Sequence, residues 1–258
     1  MANALKKLSV HRPTKTSYNK EMFGYYLAGL IDGDGHVSTI NHIVIRFNSR
    51  DKRDAVMLRT RLGYGKVRDV KNKNACNLVI SNSKAVVEIA LLIKDKLKHP
   101  VKIEQYNSLL AENFGLEKTS TNTRIDFNTP WFAGFFDADG HLKIKITPKN
   151  DGPRPEVRLL GQIDQKKDVL LIQVQSYLGG GFLGYRKKDD MYYYSTVSFG
   201  VQYNLLKYFD NFSLQYHNSY LRYTILRKAF ILVQTKEYLT LPGLAKIKKL
   251  KKKLKSMI

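Results

Sequence analysis

Two nine-residue stretches of this chain follow one pattern, 105 positions apart. They are LAGLIDGDG at residues 27–35 and FAGFFDADG at residues 132–140, and a histidine follows each of them. Each begins with a large apolar residue, two small residues and two large apolar residues, and ends with Asp, a small residue, Asp and Gly. Because an internal repeat indicates a duplicated structural unit, we expect two similar halves.

The first copy has the periodicity of a helix with one shallow face. Leu27, Leu30 and Ile31 recur on an apolar face, and the Ala-Gly pair that follows Leu27 leaves room for another helix to approach closely. The helix is expected to end near Gly35. Its last carboxylate then lies where the unpaired carbonyl groups of a helix end disfavour negative charge.

Packing of the two copies against each other would bring Asp34 and Asp139 together at that unfavourable place. Like charges a few ångströms apart require either a proton or a cation. Oxygen ligands with room for water suit Mg2+, and Mn2+ or Ca2+ can occupy the same site. The alternative is a pair of surface aspartates that cap turns, which an isolated Asp-x-Asp-Gly would suggest but a matched repeat disfavours.

The order helix, two strands, helix, two strands, helix occurs twice along the chain. Period-two alternation predicts the strands, and glycine clusters at 63–65 and 179–181 end the helices between them. We expect a flexible leader at 1–17, a first half at 18–115, a linker at 116–128, a second half at 129–240 and a basic C-terminal helix at 241–258. The expected fold class is α+β, with the two sheets related by a pseudo-twofold axis and forming a saddle.

Composition indicates a polyanionic partner. The chain has 258 residues, with 44 Lys and Arg against 22 Asp and Glu, which gives a formal net charge of +22. A ribosomal or membrane-surface protein can share this balance, but here the basic residues are mixed with Tyr, Gln and Asn in strand-like segments. Cys76 is the only cysteine, so no internal disulfide forms, and no apolar run is long enough to cross a bilayer.

The outward faces of the predicted strands carry side chains suited to double-stranded DNA. Strands in a major groove present Arg and Lys to guanine and Asn or Gln to adenine. The expected DNA-binding positions are Ser38, Arg46, Asn48, Lys66, Arg68 and Asn77 in the first half, and Lys143, Lys145, Thr147, Arg158, Gln162, Arg186, Tyr192, Tyr194 and Thr196 in the second.

The repeated stretch resembles the LAGLIDADG signature of homing endonucleases, from which the first copy departs only at Gly33. The block at 18–21 leading into this copy, and the segment at 63–69, are similar to the chloroplast branch of that family. The resemblance implies two α-β-β-α-β-β-α units in one monomeric chain, a long and nearly asymmetric DNA target, and cleavage of both strands across the minor groove. It also implies a chloroplast or mitochondrial origin, with a bacterial cytoplasm left open.

The resemblance further implies the roles of single residues. The last Asp of each copy, Asp34 and Asp139, binds metal ions, and Gly33 and Ala138 lend backbone carbonyls. The first Asp of each copy is structural. The auxiliary catalytic positions that it implies are Lys102 as the basic residue of the first half, Gln215 at its counterpart in the second, and Asp51 with Asp164 or Gln165 as residues that organise water.

Two other functions remain open at this point. The same fold can serve as an RNA maturase that helps its host intron to splice, or as a DNA-binding regulator that has lost catalysis. The two intact acids disfavour the regulator, because a binding protein gains nothing from carboxylates that face phosphate. Maturase activity can coexist with cleavage.

Overall fold

The computed structural model describes residues 7–148 and 155–257, and in them one order of elements occurs twice. The first run consists of α1 (Lys20–Asp34), β1 (Gly35–Val37), β2 (Ile43–Asn48), α2 (Lys52–Leu62), β3 (Lys66–Asp69), β4 (Ala75–Ile80), α3 (Ser83–Ile93), α4 (Pro100–Gln105), a π-helical segment (Tyr106–Ala111) and α5 (Glu112–Phe114). The second consists of α6 (Trp131–Asp139), β5 (Gly140–Thr147), β6 (Glu156–Gln165), α7 (Val169–Leu178), β7 (Phe182–Arg186), β8 (Met191–Ser195), α8 (Phe199–Asn211), α9 (His217–Gln234) and α10 (Leu241–Lys255).

Each run builds one four-stranded antiparallel sheet. The strand orders are β1-β2-β4-β3 and β5-β6-β8-β7, so the two sheets have the same topology. The predicted α+β fold class with two antiparallel sheets is therefore confirmed.

Local signals explain where the helices begin and end. The side chain of Asn19 accepts a hydrogen bond from the Met22 amide at the start of α1, and Gly63 ends α2 in the left-handed conformation. Apolar strand residues then bury one face of each sheet, with Ile45 fully covered in the first and Tyr194 nearly so in the second.

The described chain divides into two compact units. One contains residues 17–139 together with 215–217, and the other contains the remaining residues. The first unit therefore holds both repeated helices, α1 and α6, as well as the first sheet. The second unit holds the second sheet with α7 to α10.

The structure differs from the sequence-based expectation in the leader and at the end of one helix. The amide and carbonyl of Leu8 pair with the side chain of Gln234, and Leu8 is 4% exposed, so this stretch of the leader packs against α9. The sequence predicts a helix over residues 83–98, but α3 ends at Ile93, since the chain turns at Asp95, where φ is positive. The glycine and prolines of residues 152–155 predict a loop between the first two strands of the second half, and this loop lies outside the described residues except for Pro155.

The C-terminal lysine-rich segment forms α10, as its periodicity predicts. Ile247 and Leu254 are buried, and the helix packs against β5. No helix within residues 7–148 and 155–257 combines the length and the apolar character that a bilayer crossing requires.

Candidate active site

The two repeated helices pack backbone against backbone. A Cβ atom added to Gly29 would overlap the carbonyl oxygen of Trp131, and one added to Gly134 would overlap that of Tyr26. Gly29 and Gly134 occupy the same position in the two copies. The glycine in each repeat is therefore required by the approach of the other helix.

Reciprocal hydrogen bonds connect the two copies in the interior. The indole Nε1 of Trp131 donates to Asp32 at 2.9 Å, and the hydroxyl of Tyr26 donates to Asp137 at 2.8 Å. Each donor precedes the first Asp of its own copy by six residues and bonds the first Asp of the other copy. Sequence analysis did not identify these donors, although their equal offsets from the repeat were visible.

The first Asp of each copy also holds the start of a distant helix. Asp32 accepts the backbone amides of Lys98 and His99, at 2.7 and 3.1 Å, immediately before α4. Together with the bond from Trp131, Asp32 accepts three hydrogen bonds, and the residue is only 1% exposed to solvent. Burial raises the pKa of Asp32 to about 7, while the three donors and the charge of Lys102 oppose that rise.

Asp137 has the same arrangement in the second copy, and this corrects one predicted position. It accepts the backbone amides of Gln215 and Tyr216, at 2.7 and 3.1 Å, immediately before α9. Gln215 is therefore the counterpart of Lys98. Counting onward, the counterpart of Lys102 is Ser219, so the second repeat has no lysine at this position.

The second Asp of each copy lies at the end of its helix, and the two ends meet. Asp34 and Asp139 are the last residues of α1 and α6, and both are half-buried. A Cβ atom on Gly33 would lie 2.6 Å from Oδ2 of Asp139, so the carboxylate of one copy covers the backbone next to the carboxylate of the other.

Positive charge surrounds this carboxylate pair. Lys102 is within electrostatic range of Asp34 and Asp139, and Arg46 and Lys102 both act on Asp34. Burial nevertheless raises the pKa of Asp34 to about 7. For Lys102, burial lowers the pKa, while the neighbouring carboxylates raise it.

The donor set is consistent with Mg2+. Two carboxylates and the adjoining backbone carbonyls offer hard oxygen ligands. This site has only two acidic side chains, and no group of three or more His, Cys, Asp or Glu side chains that could hold a metal occurs among the described residues. Mg2+ typically uses one or two carboxylates and keeps water and phosphate oxygens as its other ligands. A cation would also stabilise the ionised form of Asp34, which burial disfavours.

Of the remaining auxiliary residues, only Gln165 lies where its predicted role cannot be performed, and the roles of Asp51 and Asp164 stay predictions. Asp51 is half-buried at the start of α2 and contributes to the charge around Tyr216. Asp164 accepts a hydrogen bond from Gln162 and pairs with Arg186 at 3.1 Å, on the outer face of β6. Gln165 is 9% exposed and lies on the opposite, inner face of that strand, so its prediction as a water-organising residue is corrected.

In the first sheet, the residues expected to contact DNA share the face opposite the core. Arg46, Asn77 and Arg68 lie side by side across β2, β4 and β3. Lys66 and Asn48 are each two residues from Arg68 and Arg46, so they lie on the same face of the sheet. Ser38, just after β1, continues this face because His36 pairs with Val44. This face is basic and amide-rich.

In the second sheet, most of the expected residues also lie on one face, but those of β8 do not. Lys145 pairs with Arg158 across β5 and β6, and the same face contains Lys143, Thr147, Gln162 and Arg186.

The predicted outward orientation of β8 is wrong by one residue. Tyr194 is 1% exposed, and Thr196, just after the strand, is fully buried and bonded to Gln202. Tyr192 is two residues from Tyr194 and therefore lies on the same inner face, opposite Gln165 of β6. Tyr193 lies on the outer face instead, under the guanidinium of Arg186 at 5.1 Å. A run of three tyrosines gives no alternation from which the register could be read.

The chain is similar to known proteins in sequence and in structure. A family model described as LAGLIDADG endonuclease matches residues 132–230. The "Uncharacterized cox1 intron-2 37.2 kDa protein" of Schizosaccharomyces pombe is 41% identical over 254 residues, covering 95% of this chain and 76% of that protein. The "Intron-encoded DNA endonuclease ai2b" of Dictyostelium discoideum is 24% identical over 63% of this chain and 61% of its own length.

A relative with a different activity in its name matches a shorter stretch. The "Intron-encoded RNA maturase bI4" of Saccharomyces cerevisiae is 26% identical over 145 residues, covering 49% of this chain and 21% of that protein. Among solved structures, the meganuclease I-SmaMI bound to uncleaved DNA in the presence of calcium ions superposes with a TM-score of 0.68. It is 22% identical, and the match covers 91% of this chain and 98% of that one.

Proposed function

The chain belongs to the LAGLIDADG endonuclease family, and from that premise we propose that it is a site-specific endonuclease that cleaves both strands of a long DNA target. One observation carries the proposal. Asp34 and Asp139 end two helices that are in contact, and Lys102 of α4 interacts electrostatically with both carboxylates. Carboxylates and a lysine in this arrangement suit phosphodiester hydrolysis.

In this proposal, Asp34 and Asp139 would hold Mg2+, with the carbonyls of Gly33 and Ala138 beside them. A bound Mg2+ would supply Lewis acidity to an attacking water and to the departing 3′ oxygen. Lys102 would supply positive charge to the attacked phosphate; burial lowers its pKa, and the neighbouring carboxylates oppose that change. Asp51 is retained as the candidate that orders water in the first half. The basic sheet faces hold the duplex through phosphates and base edges.

Because the relatives are named as intron proteins or as intron-encoded, we propose that this chain is also encoded by an intron, in an organelle. We further propose that the protein acts as a monomer, since one chain contains both repeats. Neither proposal is needed for the assignment of the carboxylate site.

Selection from a randomised duplex library tests the proposed function. The protein is incubated with the library in Mg2+, and the ends of the cleaved molecules are sequenced. We expect one family of sites cut on both strands with short 3′ overhangs. Failure of the wild-type protein to cleave in either Mg2+ or Mn2+ would contradict the proposal.

Three variants locate the activity. Asp34→Asn and Asp139→Asn should each abolish cleavage of the selected duplex while binding persists. Glu117→Gln is the matched control, because it neutralises an exposed carboxylate that pairs with Lys94. Full cleavage by an Asp34→Asn/Asp139→Asn double variant would place the active site elsewhere.

The similarity to a protein named as a maturase supports RNA splicing as a second candidate function. A self-splicing assay with the host intron, with and without the protein, tests it. The Asp34→Asn/Asp139→Asn double variant should promote splicing as well as wild type, since that activity needs no hydrolysis. Absence of stimulation by the wild-type protein would reject the maturase function.

A further inference from the structure

The position of Lys102 is fixed from its own helix start. Lys102 is the third residue of α4, and its backbone amide donates to the carbonyl of His99 at 2.9 Å. The amides of His99 and Lys98 in turn donate to Asp32. The carboxylate of Asp32 therefore anchors the segment that carries the lysine.

Asp32 is itself held by the other repeat. Its Oδ2 atom accepts both the Lys98 amide at 2.7 Å and the indole Nε1 of Trp131 at 2.9 Å. Asp32 and Trp131 are each 1% exposed, so water cannot replace the indole donor without rearrangement. Hydrogen bonds to a buried carboxylate are among the stronger ones in a protein and orient the group that accepts them.

We propose that Trp131 is a positioning residue for the cleavage reaction, acting through Asp32 to hold Lys102 at the attacked phosphate. This inference rests on the proposed endonuclease function. According to this inference, Trp131 of the second repeat positions Lys102 of the first half. Asp32 then has a second role, in addition to its contribution to helix packing.

The other repeat supplies a matched control. Tyr26 donates to Asp137, and Asp137 accepts the amides of Gln215 and Tyr216 before α9. The connections are the same, but the position equivalent to Lys102 is Ser219. Removing the Tyr26 hydroxyl thus breaks a comparable buried hydrogen bond to Asp137. No lysine depends on that bond, because the equivalent position is occupied by Ser219.

Trp131 is the only tryptophan of the chain, which permits an isosteric test. Expression in a tryptophan auxotroph with the benzothiophene analogue replaces the indole N–H by sulfur at residue 131 and nowhere else. Ring shape and burial are kept, so the protein is expected to fold. Tyr26→Phe is the control variant, and urea unfolding checks that the two lose similar stability.

Single-turnover cleavage of the selected duplex is then measured. The benzothiophene protein should cleave about tenfold more slowly with an unchanged dissociation constant for DNA, because a positioning defect affects the transition state rather than binding. In a Lys102→Ala background, the same replacement should cost less than about twofold, since the lysine it positions is absent. Tyr26→Phe should lower the rate by the same factor with or without Lys102.

Two results would overturn the inference. One is an undiminished rate in the benzothiophene protein; the other is a loss that is equally large in the Lys102→Ala background. A third measurement does not depend on activity: hydrogen exchange of the Lys98 and His99 amides should accelerate in the benzothiophene protein, while that of Gln215 and Tyr216 stays unchanged. Failure of the wild-type protein to cleave DNA would reject the proposed function. Unchanged hydrogen exchange of the Lys98 and His99 amides in the benzothiophene protein would instead reject the role of Trp131 in holding this segment.

Discussion

At the scale of single residues, His99 should make the fold sensitive to acid. Burial, followed by the charge of Lys102, lowers the pKa of His99 to about 4. The folded state therefore binds fewer protons than the unfolded state between pH 6.5 and 4. The stability that neutral His99 contributes is complete above pH 6.5 and is lost as the pH falls through that range.

The His99→Asn variant tests this contribution. Asparagine keeps an acceptor at the helix start, where Nδ1 of His99 accepts the Val101 amide. We expect wild type to lose about 1 to 3 kcal/mol relative to the variant between pH 7 and pH 4.5. Urea unfolding at both pH values measures it. A constant difference between the two proteins would show that His99 does not titrate on unfolding.

Lack of space at Gly33 explains why the first repeat has glycine where the family signature has alanine. A Cβ atom there would overlap Cβ of Ala138 and lie 2.6 Å from Oδ2 of Asp139. Gly33→Ala should therefore displace the Asp139 carboxylate and raise the Mg2+ concentration needed for half-maximal cleavage several-fold. The swap Gly33→Ala/Ala138→Gly removes one of the two overlaps and should restore part of the loss. An unchanged Mg2+ requirement in Gly33→Ala would contradict this account.

At the scale of elements, the contact between α1 and α6 depends on two glycines. Gly134→Ala would place a methyl group on the Tyr26 carbonyl oxygen, and backbone cannot yield as a flexible side chain can. We expect a loss of about 3 kcal/mol or more, or no folded protein. Gly200→Ala in α8 meets nothing within 4 Å, and should be neutral or stabilising by up to about 1 kcal/mol. Thermal unfolding of both variants compares them, and equal stability would refute the close packing.

The elements themselves were largely predictable from the sequence, because local signals and burial agree in most of them. The Asp-x-Asp-Gly repeats, the turns at Gly63 and Gly179 and the alternation in β2 place helices and strands without tertiary information. Prediction failed for β8, where three adjacent tyrosines offer no polar alternation and the pairing of Tyr194 with Ile163 decides the face.

The sequence identifies the candidate residues of the site, but not the bonds that support them. Asp34 and Asp139 belong to the repeated motif, and Lys102 is a position that the family resemblance implies. Their roles as metal ligands and basic residue stay predictions. The bond from Trp131 to Asp32 depends on how two helices distant in sequence cross, so only the structure reveals it. The same bonds establish that Gln215 corresponds to Lys98, which corrects an alignment that sequence alone left one turn out of register.

At the scale of the whole molecule, a net charge of +22 should dominate the affinity for DNA. Lysines and arginines line the outer face of each sheet, and Lys102 and Arg46 add positive charge at the carboxylate site. Each phosphate that a basic residue neutralises releases condensed counterions into solution, so binding weakens as salt rises.

Binding titrations with the Asp34→Asn variant measure this dependence without cleavage. Between 50 and 200 mM salt, the affinity for the selected duplex should fall by about 1,000-fold or more, as for proteins with six or more phosphate contacts. An unrelated duplex should show a similar slope at lower affinity, because phosphate contacts carry no sequence information. Arg158→Ala and Lys145→Ala, on the outer face of the second sheet, should each reduce the slope by about one. A flat salt dependence would mean that the basic faces do not follow the phosphate backbone.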